Sequence, residues 1–300
     1  MSLDLTKLQR MPLLDVLLDG HLRLTLWTLS PVSRLNASVA AEINTLQPEF
    51  QQLLWLVLLD ERWGEGGIYT FLRSEFAVFA PQVQGALEEA GLTGHARIFA
   101  EARRLLQAPS IGELRTRHQL FKLCATFGSQ EDYRAEIENF AQRTPILLSW
   151  AEQRRARLSE EGRLEWLTDQ LLLIADENPQ EIDDWPEPYR VLCLLQMFYL
   201  EVMNGGIHQF FSNSSGDWAP NVVEAFEAVS LPKHAEALQK GIDMFDAPYP
   251  TDRDERGDNY FVGEWSDWDR KLDSLTTVFH DGAVPKAMLK LARREKILPQ

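Results

Sequence analysis

The chain has only two cysteines, Cys124 and Cys193, in 300 residues. Both lie in apolar stretches and neither belongs to a spaced cluster. That excludes a disulfide framework and a cysteine-rich zinc site, and it points to a reducing cytoplasm. Long apolar runs are also missing. The longest, Leu53 to Leu59, has seven residues, against the roughly 20 needed to cross a bilayer. Asp4, Asp15 and Asp19 interrupt any apolar core near the N-terminus, so no export signal is expected. Strand signals are nearly absent, because no stretch alternates polar and apolar residues over more than a few positions. The six histidines (His21, His95, His118, His208, His234, His280) include no two-histidine metal pair at helical spacing. Nucleophile elbow, phosphate loop and dinucleotide fingerprint are all missing. No catalytic residue, metal ligand or cofactor is therefore assigned.

What is present is ordinary globular material, 45% hydrophobic and 25% charged, at a length where one core usually gives way to two. The net charge is −15, and it is unevenly placed. Residues 1–150 carry 17 acids and 14 bases, whereas residues 151–300 carry 28 acids and 16 bases. Between Glu160 and Pro285 there are 26 acids and 8 bases, a net of −18. Such a surface repels nucleic acid and anionic membranes and attracts a basic partner. Solubility alone accounts for it equally well. Imitation of a polyanion is the sharper reading, since duplex DNA carries one charge per about 1.7 Å, so these charges match at most about 30 Å of it.

The chain also repeats itself. Sliding it by 139 positions lays Gly66-Gly67-Ile68 on Gly205-Gly206-Ile207, Ala80-Pro81 on Ala219-Pro220, and His95-Ala96 on His234-Ala235. From Leu53 to Arg117 the match needs no gap and 17 of 65 positions are identical, which is too many for chance with shared Gly and Pro punctuation. The expected organisation is an N-terminal helical extension (1–39), a diverged first repeat (40–150) and a second repeat (160–300). The residues between Arg154 and Arg163 form a charged connector, read as helical. Both repeats read as helix, so the expected class is all-α.

In the second repeat, Tyr189 to Met203 predicts a helix of about four turns ended by Asn204-Gly205-Gly206, residues that tolerate the left-handed conformation. A short aromatic helix through Phe210 and Phe211 follows, then a turn at Asn213-Ser214-Ser215-Gly216. Pro220 stands where a first-turn proline belongs. Exposed amides at Asn204-Gly205-Gly206 would cradle an anion, but a helix cap needs no ligand and the surroundings are acidic. His208-Gln209-Phe210-Phe211 offers either a stacking platform for a base or core packing, and helical spacing favours the core. Asp252, Asp254 and Asp258 alternate as in a calcium loop, although Gly257 and the closing glutamate are misplaced for one.

The run Glu201-Val202-Met203-Asn204-Gly205-Gly206-Ile207-His208-Gln209-Phe210-Phe211, with Asn213-Ser214-Ser215-Gly216, Ala219-Pro220 and Pro248-Tyr249-Pro250-Thr251-Asp252-Arg253-Asp254-Glu255-Arg256, resembles the signature of the DNA-mimic protein C-terminal domain family. The first repeat departs from it, with Glu65 for Asn204, Ser74 for Asn213, and Glu75-Phe76-Ala77 for the Ser-Ser-Gly turn. The resemblance implies an all-helical acidic protein that imitates duplex DNA and occupies a transcription factor's DNA-binding surface. For Asn204, Gly205, Gly206, Phe210, Phe211, Asn213, Ser214 and Pro220 a mainly structural role is expected.

The remaining feature is a set of acids interleaved with tryptophans. Asp183, Asp184, Asp246, Asp252, Asp254, Glu255, Asp258, Glu264, Asp267 and Asp269, with Trp265 and Trp268, are the candidate partner-binding residues. Large aromatic anchors ringed by charge are typical of protein interfaces. A solvated face with its tryptophans turned inward explains the pattern as well. The expectation is a cytoplasmic, non-enzymatic antagonist of a basic, nucleic-acid-handling protein. It would act as a DNA mimic on a regulator or as an immunity protein against a nuclease toxin, without binding nucleic acid or membrane and with a homodimer possible. The alternatives are an enzyme with a site between the repeats and a helical scaffold.

Overall fold

The computed structural model describes residues 3–18, 43–63, 67–107, 114–260 and 267–300, apart from the side chains of 114–117 and 258–260. Every regular element among them is helical. The chain divides into two compact units, one of residues Pro12–Arg157 and the other of Leu158–Gln300 together with Met1–Met11.

Helix α1 (Leu5–Leu8) belongs to the second of these units, and α2 (Leu13–Leu18) to the first. The first unit continues with α3 (Pro48–Glu61), α4 (Ile68–Arg73), a 3-10 turn (Glu75–Phe79), α5 (Ala80–Glu89), α6 (Thr93–Gln107), α7 (Leu114–Phe127), α8 (Gln130–Arg143) and α9 (Pro145–Arg155). The second unit contains α10 (Glu160–Glu177), a 3-10 turn (Pro179–Asp184), α11 (Glu187–Ser212), a 3-10 turn (Ser214–Trp218), α12 (Ala219–Ala228), α13 (Pro232–Ile242), α14 (Arg253–Tyr260), α15 (Asp267–Ser274), a 3-10 turn (Leu275–Asp281) and α16 (Ala283–Glu295).

The sequence repeat is a structural one. The spacing of 139 carries the first residues of α3, α4, the 3-10 turn, α5, α6 and α7 onto Glu187, Ile207, Ser214, Ala219, Pro232 and Arg253. Where the second repeat has a break inside one helix, at Gly205 and Gly206, the first has two separate helices, α3 and α4. The connector expected to be helical is interrupted. Ser159 is extended (ψ 161°), and its hydroxyl accepts from the Gly162 amide, which ends the α9 path and starts α10 afresh.

Aromatic packing explains why each unit closes. In the second, Phe198 meets Phe210, Phe226 and Phe279 at ring-centroid distances of 4.8, 5.2 and 4.7 Å. Phe198 and Phe210 are too far apart in sequence to touch along a straight helix, so this contact requires the bend at Gly205-Gly206. In the first unit, Trp63, Phe127 and Tyr133 pack together, and the Tyr133 hydroxyl donates to the Leu56 carbonyl. His95 and His234 are each the third residue of equivalent helices, α6 and α13. His95 packs on Phe127 and Tyr133, and His234 on Phe226 and Phe279.

A buried carboxylate ties α2 to the first unit. Asp60 is 1% exposed and pairs with Arg134 at 2.7 Å, while Arg134 also reaches Asp15 of α2 at 2.8 Å. Burial pushes the Asp60 carboxyl up, and Arg134 opposes that shift. Glu138 accepts the first two amides of α2, from Leu13 and Leu14.

Candidate functional site

The signature residues of the second unit build a polar knot, and its hub is Arg256. This side chain is fully buried. Its Nε donates to the Phe211 carbonyl at 2.8 Å, Nη1 to the Pro250 carbonyl at 3.0 Å, and Nη2 to the Asn213 carbonyl at 2.8 Å and to Asp217 at 2.6 Å. A buried guanidinium is tolerated only with such extensive pairing. Tyr249 adds a bond from its hydroxyl to the Gly216 carbonyl at 2.8 Å, and burial raises its phenol above the ordinary range. The two signature blocks, some 40 residues apart, are thus one interlocked unit.

Glu201 organises the other side of the turn. Its carboxylate accepts from Gln209 at 2.6 Å, Asn213 at 2.9 Å and Ser215 at 3.1 Å. Ser214 is exposed and opens the 3-10 turn, while Pro220 is exposed in the first turn of α12. Gly206 adopts φ +75°, and the adjacent Ile207 amide donates to the Thr276 hydroxyl at 3.0 Å, so the helix restarts with a borrowed cap. Asn204 and Gly205 lie exposed at this bend. Phe210 and Phe211 are fully buried, which places the aromatic run in the core and not on a stacking platform.

The equivalent place in the first unit uses different chemistry. Glu201 corresponds to Arg62 and Ser215 to Phe76. There the Arg62 guanidinium lies 4.4 Å from the centroid of the Phe76 ring. A carboxylate–hydroxyl bond in one repeat is therefore a cation–π contact in the other.

The candidate acids fall into distinct groups. Asp183, Asp184, Asp246, Asp252, Asp254, Glu255 and Asp267 are exposed. Asp252 accepts the amides of Asp254 and Glu255 at 2.9 and 3.0 Å, as an N-terminal cap of α14, so the alternation that resembled a calcium loop is helix-start chemistry. Among the described residues no three His, Cys, Asp or Glu side chains converge as a metal site. Asp267 pairs with Arg270. Asp269 is different: it is buried, with His208 Nε2 3.2 Å away. Trp268 is half-buried; its indole donates to the Met244 carbonyl at 3.1 Å and its ring meets Phe245 edge-on. Trp185 is buried and Trp218 half-buried, so each described tryptophan of the acidic segment packs inward. Glu264 and Trp265 lie outside the described residues, as does the Asp258 side chain.

Asp183 and Asp184 immediately precede α11, whereas α14 is anchored through Arg256 near its far end. From Glu187 to Glu201 the helix rises about 20 Å. Asp183 and Asp184 therefore lie toward one end of that rise and the exposed acids of α14 toward the other.

The model of DMP19-like proteins matches residues 44–178 and again 183–294. The chain belongs to this DMP19-like family. Its second matched segment contains the whole Arg256–Glu201 knot, and its first contains the Arg62–Phe76 variant of it. No curated protein and no solved structure matches the chain. The DMP19-like family is one of DNA-mimic proteins. No described helix is long and apolar enough to cross a membrane.

Proposed function

We propose that this DMP19-like protein is a non-enzymatic antagonist whose second unit occupies the basic surface of a DNA-binding protein. The observation that carries this reading is the division of labour among polar groups in that unit. The polar signature groups Glu201, Gln209, Asn213, Ser215 and Arg256 are bonded to one another or to backbone. Asp183, Asp184, Asp246, Asp252, Asp254 and Glu255 are exposed to solvent, Asp252 while also capping α14. Exposed carboxylates offer a basic surface charge of the same sign as phosphates. With the described tryptophans turned inward, charge rather than aromatic anchoring dominates the encounter.

The test is binding to a basic DNA-binding partner by the wild type and by a triple variant, Asp252→Asn, Asp254→Asn and Glu255→Gln. The variant is expected to bind more weakly and with a shallower salt dependence while its helical content is unchanged. Equal affinity in both proteins removes the acidic face from the account.

A further inference from the structure

The two repeats carry opposite charge over the same elements. Residues 93–127, which include α6 and α7, hold six basic and two acidic residues, a net of +4. The equivalent residues 232–266 hold four basic and eight acidic residues, a net of −4. On the first unit Arg97, Arg104, His118 and Lys122 are exposed, although Arg104 pairs with Glu101. Phe121, between His118 and Lys122 on α7, is 74% exposed. Tyr69 of α4, 40% exposed, lies on a helix that packs against α7.

We infer that this basic, aromatic face of the first unit is an interaction surface for the acidic α14 edge of a second copy of the chain. Charge complementarity selects that occupant, because the matching surface of opposite sign occupies the equivalent elements of the same sequence. A phenylalanine largely in water on a basic stretch of helix has the make-up of an interface anchor. Each chain carries both surfaces, so the contact joins one copy to another through opposite charges. A second copy and a basic partner then compete for the same carboxylates. The inference needs only the charges and exposures just given and stands whether or not the DNA-mimic reading holds.

The test is sedimentation of the full chain over a range of concentrations at low and at high salt. Reversible self-association that weakens as salt rises is expected. Phe121→Ser, at an exposed position, is expected to weaken it by at least about tenfold, within the range of an interface anchor. Two charge-reversed proteins, Arg97→Glu with Lys122→Glu and Asp254→Lys with Glu255→Lys, are each expected to be monomeric. Their equal mixture is expected to associate again, because each reversed surface then meets opposite charge on the other protein. A chain that stays monomeric at low salt, or association that these variants leave unchanged, overturns the inference. So does a monomeric chain whose Phe121 face binds a single-stranded oligonucleotide, since the surface would then belong to nucleic acid.

Discussion

The guanidinium of Arg256 occupies space that any side chain at residue 216 would need. A Cβ placed on Gly216 falls 2.9 Å from Nη2 of Arg256 and 2.8 Å from the Phe210 carbonyl oxygen. The glycine of the Ser-Ser-Gly turn is there so that a buried arginine from α14 can close over it. In the first repeat, residue 216 corresponds to Ala77 and residue 217 to the exposed Val78, so neither the glycine nor the carboxylate partner of Arg256 is kept.

Gly216→Ala is accordingly expected to destabilise the second unit by about 1–3 kcal/mol through overpacking. Arg256→Leu removes the common donor of three carbonyls and Asp217; Asp217 is 36% exposed and keeps water, so the expected loss comes from the carbonyls left without a donor, about 1–3 kcal/mol each at most. Urea unfolding of the full chain measures both, with the transition of the first unit unmoved.

Glu201→Gln leaves one oxygen as an acceptor where three donors now converge. Stability should drop by about 1–3 kcal/mol, the range for hydrogen bonds to a charged group. At the equivalent position Arg62→Ala should cost the first unit only about 0.5–1 kcal/mol, the size of a partly exposed cation–π contact. The two variants compared by urea unfolding show how far the repeats have diverged in what holds this turn.

The raised Asp60 carboxyl gives stability a direction with pH. Because the folded chain keeps this proton to higher pH than the unfolded one, stability falls as pH rises from the ordinary aspartate range through the raised value. Asp60→Asn removes that dependence. The stability of the wild type relative to this variant should therefore decline with rising pH across that window, as read by denaturant unfolding at a series of pH values.

The two thiols should react unequally. Cys193 is fully buried, and burial pushes its thiol up to about 12. Cys124 is half-buried, and its thiol is raised as well. A thiol reagent at neutral pH is expected to label Cys124 slowly in the native protein and Cys193 only after unfolding, because the thiolate is the reacting form.

Much of the architecture is legible in the sequence because Gly and Pro fall at the same intervals in both repeats. Gly67 stands before α4 and Gly205-Gly206 mark the break in α11, and Ala80-Pro81 and Ala219-Pro220 open the next helix. The link between Gly216 and Arg256 is not legible, since nothing local says that a residue 40 positions away will be buried against a turn. Asp269 fails for a related reason. In sequence it is one more acid between Asp267 and Asp273, and only the fold of α15 turns it toward His208. Trp268 reads as an interface anchor from its neighbours, whereas its indole is taken by the Met244 carbonyl. The structural meaning of Arg62 is similarly hidden, because its partner Phe76 becomes visible only when the two repeats are laid on each other.

The most direct measurement is capture of a basic DNA-binding partner on the immobilised full chain, challenged with duplex DNA at fixed salt. If the exposed carboxylates of the second unit stand in for phosphates, duplex DNA displaces the partner, and the triple variant at Asp252, Asp254 and Glu255 holds less of it from the start. A partner that stays bound under excess duplex, and binds the triple variant equally well, would contradict the account.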